Sequence, residues 1–408
     1  MDVEAFRGYR YASGERDLTK IVAPPYDQID PPLQERLAAM SPANISHVSL
    51  PRGEEERYER ARRTLAAWLD AGLWVRDATP AIYPYAQTYR LGGGAITRAG
   101  VIALGEVTEY AQGLVRPHER THPGPKQDRL RLLEATGADL GLLFMLATDP
   151  AGELRRLAAP GTEPIAEARD LRGEHHRLWR VTDPAAIARL RAALRDARVI
   201  IADGHHRYET AVEYARRRPA ARYKLMAFFA LDGPGLTILP NHRLVHGVEG
   251  FTLPRFLEAT RGWFDVAPLA DPLAFQPTNR SLAVVGGAEA AALTLRDEAF
   301  ERLPWSPGTS RAWRELAVSI LHEGLLRPLL DITDAKLEAR SHVDYTADPA
   351  EAVALARAGR HQAAFLIAAT TPDELQAVVR GGELLPQKST HFYPKLLDGL
   401  VFARLGEA

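Results

Sequence analysis

The residues best suited to chemistry stand together in Asp203-Gly204-His205-His206-Arg207. An acid, two imidazoles and a guanidinium surround one glycine, with no acidic run to cancel the cations. The preceding Val199-Ile200-Ile201-Ala202 reads as a buried strand. Ala211, Val212 and Ala215 are spaced as one face of a helix that Pro219 ends. The polar residues therefore fill a tight turn from strand to helix N-terminus, with the helix running from Tyr208. Such a turn presents backbone N–H groups without intrahelical partners at the positive end of the helix dipole. Gly204 permits close approach and Arg207 supplies a charged fork, so the chemistry is anion binding, most naturally of phosphate. The plainer alternative is a corner whose histidines cap the helix or face solvent.

A second cluster is Arg116-Pro117-His118-Glu119-Arg120-Thr121-His122, running into Pro123-Gly124-Pro125-Lys126-Gln127-Asp128-Arg129-Leu130. His118, Glu119 and His122 spell H-E-x-x-H, which holds zinc when a helix puts both histidines on one face. The prolines on either side deny it that helix, and the metalloprotease reading is rejected. What remains is a polar loop leading into a helix over about 126–135. Glu119 is a candidate general base there, and Lys126 and Arg129 are candidate phosphate partners. Taken alone, an ordinary charged surface loop explains this segment as well.

Three further motifs stand out. Pro240-Asn241-His242-Arg243 follows a strand and can supply donors. Residues 382–389 approach a Walker A pattern, but Gln387 replaces its second glycine and Pro386 stiffens it, which excludes a P-loop. Lys388, Ser389 and Thr390 still offer charge and hydroxyls to a phosphate or its metal. Gly173-Glu174-His175-His176-Arg177 copies the look of the central motif without its flanking elements, and is expected to be a loop or exposed strand.

The elements that must position these groups follow from periodicity. Strands are expected at 20–23, 44–50, 81–91, 96–110, 141–147, 223–231 and 236–239, and helices at 31–40, 54–73 and 184–194. Gly92-Gly93-Gly94 joins two of these strands as a hairpin, not as a phosphate loop. Further on, helices are expected at 254–263, 310–323, 349–358 and 372–379, strands at 281–285, 292–295 and 363–369, and a last helix through Phe402. The division expected is 1–245, carrying the Asp203 turn, and 246–408, contributing the loop at Lys388.

Composition narrows the classes. The 408 residues carry a formal net charge of −1, which invites neither nucleic acid nor an anionic membrane. There is no cysteine, which removes disulfides, thiolate nucleophiles and zinc–thiolate sites. No apolar leader or bilayer-length run is evident, so the expectation is a soluble, cytoplasmic protein.

With these motifs on the page, the chain resembles the bacterial family known as domain of unknown function 1015. The resemblance rests on Ala23-Pro24-Pro25-Tyr26-Asp27, Arg116-Pro117-His118-Glu119, Lys126-Gln127-Asp128-Arg129-Leu130, Ala202-Asp203-Gly204-His205-His206-Arg207, Asn241-His242-Arg243 and Pro386-Gln387-Lys388-Ser389-Thr390. The middle portion also resembles the ParB/sulfiredoxin superfamily, which includes free-serine kinases. The shared order is a Pro-His-Glu loop, an Arg-bearing helix, an apolar strand, another helix, then strand, Asp-Gly-His-His-Arg and helix.

The resemblance implies an α/β to α+β fold. It would have a mixed sheet core with a ParB/sulfiredoxin-like nucleotide-binding unit and a second, C-terminal α/β domain. It implies a phosphoryl-transfer enzyme acting on a small hydroxylated metabolite, most concretely free serine, with ATP or ADP and Mg²⁺. Gly204, His205, His206 and Arg207 would hold phosphates. His118, Glu119 and Asp203 would be catalytic, Glu119 as base and Asp203 also as the Mg²⁺ ligand. Lys126, Arg129, His242, Arg243, Lys388, Ser389 and Thr390 would complete the nucleotide site. The alternatives are a nucleotide-binding regulatory switch without turnover, a small-molecule phosphatase on the same anion site, and a metal site at His118, His122, His205 and His206. The partners expected are the small substrate and the nucleotide, with no nucleic acid and no membrane. Oligomeric state is left open.

Overall fold

The structure, a computed structural model, describes residues 1–12, 17–54, 56–121, 123–159 and 161–406. It divides into two compact units, Met1–Leu236 with Pro394–Ala408, and Thr237–Tyr393. This differs from the expected 1–245 and 246–408 for a local reason. Thr237–Leu239 pairs antiparallel with His391–Tyr393, so the second unit is entered and left through one pair of strands. The C-terminal segment then rejoins the first unit, where Ala403–Arg404 pairs with Ala138–Asp139 and Asp398 bridges Ala23.

The first unit is built on a mixed sheet. Among the described residues its strands are β1 (Val3–Glu4), β2 (Tyr83–Leu91), β3 (Gly94–Glu106), β4 (Val115–Arg116), β5 (Leu143–Ala147), β6 (Ala166–Arg169), β7 (His175–Leu178), β8 (Val199–Asp203) and β9 (Tyr223–Ala230). Their order is β4-β8-β5-β9-β3-β2-β7-β6, with β1 paired to β3. β8 runs parallel to β4 and antiparallel to β5, and β9 parallel to β5. Val199 and Ile201 are fully buried, packing with Leu143, Met145 and Phe228, so the apolar run of β8 is that of a strand covered on its faces. The β2–β3 hairpin turns at Gly92 and Gly93 with φ of 58° and 83°, the double positive φ that a two-residue turn matching strand twist requires.

Two helices frame the site, α1 (Pro123–Thr136) and α2 (His205–Arg217). α2 starts three residues earlier than its periodicity suggests, because Gly204 makes the whole turn. Other expectations are corrected. Residues 20–23 are not a strand: Lys20 and Ile21 lie in a turn, and Ala23 makes a single bridge to Asp398. Residues 44–50 contain a helical turn, Ser46–Ser49, in place of a strand. There the Asn44 amide donates to the Lys20 and Val22 carbonyls while its oxygen accepts from Ser46 N–H, which outweighs β propensity. Residues 310–323 are Arg311–Arg314 and Ala317–Leu321, followed by a wide turn, His322–Leu326. The last expected helix is absent, since Pro394 opens the segment and Gly399, at φ 95°, packs its backbone against Ile45.

The second unit carries an antiparallel sheet in the order Phe264–Pro268, Glu289–Leu295, Ser281–Gly286, Ala363–Leu366, His242–Val245 and Val343–Thr346. The helix Pro349–Arg357 buries Ala352, Val353 and Ala356 against it. No helix among the described residues is long and apolar enough to cross a membrane.

Candidate functional site

β8 delivers Asp203 to its carboxyl end, and Gly204 turns the chain at φ 99° into α2. A Cβ at Gly204 would lie 2.8 Å from Leu143 Cδ2 and 3.1 Å from Arg207 Nε, so glycine is demanded by space as well as by φ. The turn folds Arg207 back onto the strand end, where its Nη2 donates to Asp203 Oδ2 at 2.9 Å. Lys395 Nζ donates to the other oxygen, Oδ1, at 2.7 Å. Burial opposes ionisation of Asp203, but the charges of Lys395 and Arg207 outweigh it and hold the carboxyl well below the usual carboxylate range.

Lys395 is positioned from the sheet. Gln87 Nε2 donates to its carbonyl at 2.8 Å, and Arg98 Nη2 donates to the Pro394 carbonyl at 2.5 Å. Gln87 and Arg98 are cross-strand neighbours on β2 and β3, and both are buried. The Arg98 guanidinium lies over the rings of Phe144, at 4.5 Å, and Phe229, at 5.1 Å. Burial lowers Arg98 to about 10, which still leaves it charged at neutral pH.

His118 fixes the neighbouring loop. Its Nδ1–H donates to the Ile201 carbonyl at 2.6 Å, and its backbone N–H donates to His205 Nε2 at 3.3 Å. The two rings meet edge to face at 4.6 Å. Burial pushes the His118 imidazole down, so it is neutral and holds the loop to the end of β8. Glu119, half-buried, follows at once.

Arg207 also faces a cavity of about 60 Å³ lined by Arg129, Gly141, Lys224, Asp398 and Tyr26, among others. A Cβ at Gly141 would lie 3.0 Å from Arg207 Nη1 and 3.4 Å from Asp398 Oδ1, so the glycine keeps both groups open to this space. Asp398 is 4 % exposed and its Oδ1 has no hydrogen-bond partner. Burial pushes its carboxyl up to about 7, against the charges of Arg207 and Lys224. Lys224 is bonded to Asp139 and to the Gly141 carbonyl. A larger groove of about 450 Å³, lined by Tyr110, Tyr208, Lys126 and Arg216, lies along α2.

The structure thus brings together His118, Glu119, Asp203, Gly204, His205, His206, Arg207 and Arg129, with three reassignments. Both Asp203 oxygens accept from cations, so its donor set does not fit Mg²⁺. Arg129 is bonded to Asp128 and the Ser49 carbonyl and lies 4.1 Å from the Tyr26 ring centroid, a brace more than a free phosphate donor. Lys126 faces the groove and is paired with Glu209, which also accepts from Thr121. His122 lies outside the described residues.

His242, Arg243, Lys388, Ser389 and Thr390 belong to the second unit. Fully buried Arg243 bonds the Asn241 and Gln387 carbonyls and His322, and Asn241 bonds the carbonyls of Lys388 and Thr390. The Ser389 hydroxyl donates to the Pro386 carbonyl, and His242 Nδ1 accepts from Ile367 N–H at 3.3 Å. Arg243 and Ser389 thus direct these donors to carbonyls of the loop, whereas Lys388 and Thr390 enter the network through their backbone carbonyls.

Sequence reasoning missed Lys395, Asp398 and Lys224. One signal was available, since Asp398 is a lone acid in the apolar run Leu396-Leu397-Asp398-Gly399-Leu400-Val401.

A family model described as "Protein of unknown function (DUF1015)" matches residues 3–319. No curated protein matches the chain. Among solved structures, the chain is similar to a conserved hypothetical protein from Pyrococcus furiosus at 14 % identity and TM-score 0.35, over 69 % of this chain and 90 % of that one. It is similar to a free serine kinase in complex with AMP at 14 % identity and TM-score 0.36, over 70 % and 88 %. It is similar to SbnI with a C-terminal truncation, from Staphylococcus aureus, at 11 % identity and TM-score 0.38, over 73 % and 85 %.

Proposed function

We propose that this chain, which belongs to the DUF1015 family, is a phosphoryl-transfer enzyme for a small hydroxylated metabolite, with free serine the first substrate to test. The observation that carries the reading is the double engagement of Arg207. One side of its guanidinium is anchored on Asp203, and the other faces a small cavity that Arg129 and Lys224 also line. A guanidinium held in place beside a helix N-terminus is suited to phosphate oxygens, because its orientation is fixed before ligand arrives. The Asp-Gly-His-His-Arg turn and the Pro-His-Glu loop are the parts that resemble the ParB/sulfiredoxin superfamily.

In this reading the phosphates of ATP or ADP rest at the start of α2, against Arg207. The substrate hydroxyl oxygen attacks the terminal phosphorus, the bond from that phosphorus to the bridging oxygen breaks, and the nucleotide leaves one phosphate shorter. Glu119 takes the hydroxyl proton. His118 acts as a positioning residue, since its ring nitrogen is bonded to the Ile201 carbonyl and its imidazole is neutral. Asp203 orients Arg207 and Lys395. Such reactions depend chiefly on positioning and charge, which a pre-anchored arginine supplies.

The test is calorimetric titration with ATP and ADP, together with serine-dependent nucleotide turnover. Arg207→Ala is expected to weaken nucleotide binding roughly ten- to a hundredfold. Glu119→Gln is expected to bind normally and lose about 10²–10⁴ in turnover. Nucleotide binding without turnover on any hydroxylated substrate would indicate a switch, and a fully active Glu119→Gln enzyme would remove Glu119 as the base.

A further inference from the structure

We propose that Asp170, Glu174 and His176 form a site for a divalent first-row transition ion such as Zn²⁺, separate from the Asp203 turn. The residues come from the motif that copies the look of the central one. Gly173 and Glu174 lie in a turn as expected, but His175–Arg177 is not an exposed strand, as β7 lies between β2 and β6 and His176 is fully buried. Asp170 and Glu174 occupy the turn that joins β6 to β7.

The geometry is preorganised on each member. Asp170 Oδ1 accepts the backbone N–H groups of Arg172 and Glu174 at 2.8 and 2.9 Å, and Gly173 at φ 85° lets the turn close. Asp170 Oδ2 then faces His176 Nε2 at 3.7 Å, beyond hydrogen-bond length. Nε2 has no hydrogen-bond partner in a fully buried ring. Its other nitrogen, Nδ1, is 2.7 Å from the Tyr85 hydroxyl, which orients the ring as outer partners of metal-bound histidines do. Glu174 is 5 % exposed, and one ligand atom from each of the three residues lies within 4.8 Å of the others. Ligands roughly 2.0–2.2 Å from a tetrahedral ion stand about 3.4 Å apart, so the Asp170–His176 spacing needs little change.

Charge favours a cation. Asp170 and Glu174 set two carboxyl groups beside one imidazole, a donor set made for a cation. One imidazole nitrogen with two carboxylate oxygens suits Zn²⁺ or Mn²⁺ better than Mg²⁺, which prefers oxygen ligands alone. The role is structural, since the ion would tie the β6–β7 turn to the sheet.

The experiment strips the full chain with chelator, removes the chelator, and adds Zn²⁺ or Mn²⁺. Bound metal is measured after dialysis, and unfolding is followed with and without metal. The wild type is expected to retain about one equivalent and to melt higher when loaded. Glu174→Gln, near in size, is expected to melt like the wild type in chelator and to lose the metal-dependent rise. Tyr85→Phe keeps the ligands and is expected to bind about 10–100-fold more weakly. A wild type that takes up neither ion overturns the proposal. So does metal retained at full affinity by both Glu174→Gln and His176→Ala, which would move the ion to another cluster such as His118 and His205.

Discussion

Lys395 Nζ stands 2.7 Å from Asp203 Oδ1, so a residue of the C-terminal segment closes an ion pair at the end of a strand nearly two hundred positions earlier. Both side chains are mostly buried, at 17 % exposure each. Lys395→Met leaves the Asp203 charge on Arg207 alone. It is expected to cost about 1–3 kcal/mol in urea denaturation, and Asp203→Asn added to it should cost less than the sum of the two single changes. Additive losses would show that the pair is not coupled. The folded-state carboxyl is depressed, so this contribution is present above the ordinary carboxylate range and is lost as pH falls below it.

Asp398 behaves with the opposite sign. Its carboxyl is raised from the ordinary 3.8 to about 7, so the folded chain holds a proton that the unfolded chain releases. Stability contributed by this group falls as pH rises between those values and is level above them. Asp398→Asn, fixed in the neutral form, is expected to melt above wild type at about pH 8 by an amount on the order of a few kcal/mol. The gap should shrink towards about pH 5. Thermal melts across that range that run parallel for the two proteins would contradict this.

Gly141→Ala is a test of the small cavity. The new methyl would meet Arg207 Nη1 at 3.0 Å and Asp398 Oδ1 at 3.4 Å. It occupies the space where a ligand would touch both, so nucleotide or substrate affinity should drop by roughly tenfold or more, with less than ~1–2 kcal/mol lost in stability. Titration calorimetry beside a denaturation curve separates the two effects, and unchanged binding would place the ligand elsewhere.

Lys388 sits at φ 56°, a backbone state that costs a non-glycine residue about 1 kcal/mol. Lys388→Gly is therefore expected to be neutral or to stabilise by up to ~1 kcal/mol, and to leave nucleotide affinity unchanged. A tenfold loss of affinity in the same variant would return Lys388 to the binding site.

Much of the local structure was readable in the amino-acid order. The apolar run of Val199 to Ala202, the turn forced by Gly204, the double-glycine hairpin and the helix of 184–194 all follow from neighbours along the chain. Local rules misjudged residues 44–50, because the Asn44 side chain reaches carbonyls more than twenty residues away. They likewise say nothing of Arg243 and Ser389, whose donors meet carbonyls of a folded loop. The central motif declared its charges, but not how they are balanced. Lys395 arrives at Asp203 because Gln87 and Arg98, paired across two strands, grip the backbone of the returning segment. Charge balance in a buried site depends on distance through space and on lost solvation. Neither quantity exists along a sequence, so the turn was legible there and its ion pairs and cavity were decided only when the chain closed on itself.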